Sequence, residues 1–83
     1  MSRAGFSTLA AKCRGKDGAA LDDLIAYATL DLCDPSGLNL LLTAAYSHLP
    51  LERAESAIDR LAQSGLVSRG VVAGHATDLY ITN

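Results

Sequence analysis

The feature that most constrains this chain is Leu49-Pro50, set between two helical apolar patterns. Proline biases the residue before it out of the helical region, so the first helix must end near His48 and the second begin near Leu51. The second covers residues 51–64 and stops at Gly65, which can take the positive φ that closes many helices, before the apolar pair Leu66-Val67. At roughly 100° per residue, Leu51, Ala54, Ala57, Ile58, Leu61 and Ala62 fall on one side, a core-facing stripe. Glu52, Arg53, Ser56, Asp59, Arg60 and Gln63 fall on the other. Two helices about so tight a turn, the second amphipathic, read as a helix-turn-helix.

Past Gly65 the pattern becomes extended. Val71, Val72, Leu79, Tyr80 and Ile81 have the β-branched and aromatic bias of strands, and the link at residues 73–76 predicts a β-hairpin with Gly74-His75 at its tip. Leu79 and Ile81 alternate with Asp78, Tyr80 and Thr82, which predicts that one side of the second strand faces the helices. Upstream, residues 19–32 predict a helix with Leu21, Leu24, Ile25, Ala28 and Leu32 towards the core, and Tyr27 and Leu30 nearly opposite among Asp22, Asp23 and Asp31. Asp34-Pro35 reads as a cap and first helical residue of a helix running to His48, apolar on nearly all sides through Leu38, Leu40, Leu41, Leu42, Ala44 and Ala45.

In this order the elements resemble a winged helix-turn-helix domain of the kind found in small bacterial transcription regulators. The resemblance covers roughly residues 19–82, and its most specific part is IDRLAQSGLVSR at 58–69, where the second helix of the motif runs into the wing. His48 stands where such turns commonly have Gly, and His tolerates the left-handed region better than most residues. The fold expected is α+β: three core helices and a two-stranded wing over residues 19–83, preceded at 1–18 by a basic arm or short helix. The resemblance implies that the 51–64 helix enters the DNA major groove.

Charge tempers that implication. The 83 residues carry a net charge of −2, mildly unfavourable for a protein whose affinity comes from phosphate contacts. The distribution is uneven: residues 1–16 hold Arg3, Lys12, Arg14 and Lys16 with no acid, and residues 17–34 hold Asp17, Asp22, Asp23, Asp31 and Asp34 with no base. Glu55 and Asp59 repel each other at i, i+4, a small cost easier to understand if both meet something basic.

The site expected for DNA therefore consists of Arg53 and Arg60 as base-edge or phosphate contacts, Ser56 and Gln63 as shorter readers, and Arg69 and His75 on the wing. A homodimer through Tyr27, Leu30 and Leu40 would bury apolar groups that a lone small domain leaves wet, and would double the cationic groups on the DNA. The alternative is a winged helix that binds a protein partner instead, which accounts better for the acidic edge and the apolar Leu40 surface. No nucleophile–base pair, phosphate loop or cleft carboxylate pair points to an enzyme. Cys13 and Cys33 read as reduced structural thiols, and neither they nor His48 and His75 have metal-ligand spacing, so no metal or cofactor is expected. The chain has neither a run long enough to span a membrane nor a signal-peptide pattern, which predicts a cytoplasmic protein.

Overall fold

The computed structural model describes residues 18–83; the basic arm or short helix expected at the N-terminus lies outside them. Three helices, α1 (Ala19–Leu32), α2 (Leu40–Ser47) and α3 (Leu51–Gln63), lead into an antiparallel hairpin of β1 (Val67–Val72) and β2 (His75–Thr82). This is the α+β winged helix-turn-helix layout, three packed helices followed by a two-stranded wing. Ala26, Tyr27 and Leu30 of α1, Leu38, Ala44, Leu49, and Ala54, Ala57 and Leu61 of α3 close into one core that Val67 of β1 joins. Fully burying a large side chain such as Leu30 or Leu61 contributes about 1.5–3 kcal/mol.

The turn between α2 and α3 forms for the reason the proline implies. His48 takes the left-handed conformation, φ 59° and ψ 27°. Its N–H donates to Ala45 O at 3.4 Å and the Leu49 N–H to Ala44 O at 3.2 Å, so the last carbonyls of α2 are satisfied while Leu49 folds into the core. The end of α3 repeats the device with Gly65 at φ 76°, the Gly65 N–H donating to Ala62 O and the Leu66 N–H to Leu61 O. Two residues expected on the core side of α3 are exposed instead: Leu51, at its first position, and Ala62, near its last.

The largest departure is the rotation of α1. Tyr27 and Leu30, expected outside, are fully buried, whereas Leu21 is 40% and Leu32 85% exposed. The inward stripe is Asp22, Ala26, Tyr27 and Leu30. Periodicity had assigned the two aspartates to water. Arginines on α3 pair with both, so the face that carries them turns inward.

The helix expected from Asp34-Pro35 starts five residues later. Leu38 N–H donates to Tyr80 O at 3.1 Å and Tyr80 N–H donates back to Leu38 O at 2.7 Å, which holds Leu38 extended beside β2. Asn39 is the true cap, its side chain accepting from Leu42 N–H at 2.8 Å. The Asp34 carboxylate instead accepts from the Thr82 hydroxyl and N–H. Gly37, at φ 78°, lies under β2, where an added Cβ would stand 2.9 Å from both Ile81 Cγ2 and Tyr80 O. Nor is α2 buried all round, since Leu41, Leu42 and Tyr46 are exposed.

The hairpin turns more tightly than expected. Val72 pairs with His75, so the tip is Ala73-Gly74, with φ 51° and 80°, and His75 is the first residue of β2. The register shifts between Arg69 and Val71, and the Thr77 hydroxyl donates to Gly70 O across the irregularity. On β2, Tyr80 packs against the helical core, while Leu79 and Ile81 lie over Gly37.

Candidate interaction face

The α3 helix has two edges and a centre, each with its own chemistry. Its buried residues, Ala54, Ala57, Ile58 and Leu61, fix the inward direction. At 100° per residue Arg53 and Arg60 then fall on one flank, Leu51 and Ala62 on the other, and Glu55, Asp59, Glu52, Gln63 and Ser56 fill the outward arc between them.

The arginine flank faces α1. Arg53 Nε donates to Asp22 Oδ2 at 2.9 Å and its Nη2 to Asp22 Oδ1 at 2.7 Å, a side-on two-pronged pair. About two turns further on, Arg60 Nε donates to Asp23 Oδ1 at 2.9 Å, with Nη2 equally close to the same oxygen. Asp22 is almost covered, its side chain 6% exposed against 56% for Arg53. The Arg53 hydrogen bonds hold the Asp22 carboxyl below the usual carboxylate range; burial pushes the other way, and the charges of Arg53 and Arg60 add to the lowering.

The residues expected to read DNA are thus divided among three places. Arg53 and Arg60 are committed to α1, Ser56 and Gln63 are exposed on the outward arc, and Arg69 and His75 are exposed on the wing. Arg69 lies over the Tyr80 ring, 5.6 Å from its centroid, and donates to the Tyr80 hydroxyl at 3.3 Å. Across the described residues the charged groups are three arginines against eight carboxylate side chains. The charged groups at the centre of the outward arc of α3 are Glu52, Glu55 and Asp59.

On the flank opposite the arginines, α3 borders a groove of about 310 Å³ lined by Asn39, Leu40 and Leu41 of the α2 end, Leu51 of α3, and Asp78 and Tyr80 of β2. Its walls are mainly apolar, and a carboxylate stands at the rim. Leu41 is 67% exposed beside it, and Leu42 and Tyr46 continue apolar surface along α2. Sequence reasoning did not find the groove, although the surplus of apolar residues between 38 and 46 was its signal. The self-association surface expected at Tyr27, Leu30 and Leu40 is corrected accordingly: the first two are interior and Leu40 is half-buried in the groove wall.

Among the described residues no group of three or more His, Cys, Asp and Glu is placed to hold a metal ion, and no helix is long and apolar enough to cross a membrane. Cys33 is a free, half-buried thiol. No protein-family model matches the chain, and neither does any curated protein or solved structure.

Proposed function

We propose that this protein is a winged-helix interaction module whose outward α3 face and adjoining groove bind a basic, partly apolar segment of a protein partner. The observation that carries this reading is the capture of Arg53 and Arg60 by Asp22 and Asp23, which leaves the outward arc with Glu52, Glu55 and Asp59 as its charges. In the major groove of DNA those carboxylates would meet phosphate repulsion, and among the base edges only the cytosine and adenine amino groups could donate to them. Against Lys or Arg on a protein they are complementary, and the groove adds apolar area that charge alone does not supply.

The test is selection of peptides from a random display library on the immobilised full chain. The expected winners combine Lys or Arg with aromatic or aliphatic residues, and Glu55→Lys with Asp59→Lys weakens them at least tenfold. Winners without cationic residues, or unaffected by the reversal, contradict the reading.

A second reading, a DNA-binding regulator, is favoured by one observation: the helix-turn-helix presents α3 outward beside a hairpin, the arrangement with which such domains enter the major groove. On that reading Arg53 and Arg60 must exchange their aspartates for phosphates or base edges, with Ser56, Gln63, Arg69 and His75 beside them. Its signature is a selected DNA sequence whose retention depends on both arginines.

A further inference from the structure

The face just described is opposite in sign to a part of this same chain. The described residues carry three arginines and eight carboxylates, and residues 1–16 carry four cations and no acid, together with the apolar Phe6 and Leu9. Sequence order also matches surface order. α1 starts next to α3, since Asp22 in its first turn holds Arg53. From that flank, a path round α3 first crosses the outward arc with Glu52, Glu55 and Asp59, then passes Leu51, then enters the groove between Leu40, Leu41 and Tyr80. Read backwards from Gly18, the chain meets Asp17 first, then Lys16, Arg14 and Lys12, and Leu9 and Phe6 afterwards. A segment laid along that path would bring its bases to the acids and its apolar side chains to the groove. The nine residues from Gly18 back to Leu9 reach at most about 30 Å when extended, enough to cross a helix about 10–12 Å wide.

We propose that residues 6–16 of this chain dock in cis across the outward face of α3, with Lys12, Arg14 and Lys16 against Glu52, Glu55 and Asp59 and with Leu9 and Phe6 in the groove. The tether keeps the segment at an effective concentration in the millimolar range, so even a weak contact is populated. The segment then acts as an internal competitor, and an outside partner must displace it. The proposal rests on the reading that this face binds basic, apolar segments, but the two fail separately: a chain that selects basic peptides while its own segment stays undocked keeps that reading and loses this one.

Cys13 lies between Lys12 and Arg14 and offers a native position for a nitroxide spin label once Cys33 is replaced by Ser. In the ¹⁵N-labelled full chain at about 20 mM salt, the label is expected to cut the amide intensities of Leu51, Glu52 and Glu55 at least twofold against the reduced label. About 500 mM salt should restore them, because such contacts are screened beyond a few ångströms there. Glu52→Lys with Glu55→Lys, both exposed positions, should abolish the effect in a chain whose circular dichroism is unchanged. For the apolar half, Phe6→Ala is expected to move the amide shifts of Leu40, Leu41 and Tyr80. Unchanged intensities on α3 at low salt overturn the proposal, as do unmoved groove shifts. Intensity loss that appears only when labelled and ¹⁵N-bearing chains are different molecules overturns the assignment in cis, since the segment then belongs to a second copy.

Discussion

Along one flank of α3, Arg53 and Arg60 are matched by carboxylates from α1; along its outward arc, Glu52, Glu55 and Asp59 have no arginine of the described residues set against them. Both regions lie on one 13-residue helix and both read as polar in sequence. On the first, charge is spent inside the molecule, where it joins α1 to α3 over the buried Ala26, Tyr27 and Leu30. On the second it faces outward, repelling itself and available to something basic. Counting charged residues on a helix thus says little about binding until each charge has been assigned to a partner within the fold.

The largest effect is expected at the seam between α1 and α3. Leu30→Asp, which a surface position would tolerate, puts a carboxylate into the buried core and is expected to leave the chain largely unfolded by circular dichroism. The milder Leu30→Ala should cost about 2–5 kcal/mol in chemical denaturation, a large part of the stability of so small a domain. A loss under about 0.5 kcal/mol would place Leu30 outside the core.

The ion pair comes next. Arg53→Ala leaves the Asp22 carboxylate covered and without its two-pronged partner, so the melting temperature should fall by several degrees, and Arg53→Ala with Asp22→Ala should recover part of the fall. Additive losses in that cycle would mean that the pair contributes no coupling.

The same contact sets an acid limit. The folded-state pKa of Asp22 is lowered, so its stabilisation is fully present above the ordinary carboxylate value of about 4, declines as pH falls below that value, and is gone below the lowered one. Asp22→Asn should flatten the stability profile in that window relative to the parent chain; profiles of equal slope contradict the assignment.

The smallest effect belongs to the outward arc. Glu55→Lys turns the repelling pair with Asp59 into an attractive one and should change stability by no more than about 0.5 kcal/mol, with the sign towards stabilisation. A large destabilisation would show that Glu55 is tied into the fold, and that the two regions of α3 are alike.

Much of this was legible in the sequence, and what was not has a physical reason. The turn at His48, the stop at Gly65 and the hairpin follow from backbone rules that act within a few residues, so Pro50, Gly65 and the β-branched run were sufficient signals. The orientation of α1 was hidden because Asp22 and Asp23 count as solvent-facing until Arg53 and Arg60, more than thirty residues away, are known to reach them. The start of α2 was misplaced because Asp34-Pro35 has the chemistry of a helix start, whereas the pairing that forbids it lies between Leu38 and Tyr80. Asn39, a good cap ahead of an apolar run, was the local signal that would have corrected it. The groove needed three elements in place, and its apolar wall was visible beforehand only as a surplus of leucine.

The most direct test of the central claim is binding of the full chain to a random-sequence duplex DNA pool at about 50 mM and about 200 mM salt, with Arg53→Ala/Arg60→Ala alongside. No sequence is expected to be enriched at the higher salt, and parent and variant should not differ. A selected sequence retained at the higher salt, and lost when both arginines are removed, would contradict that claim and identify α3 as a DNA-reading helix.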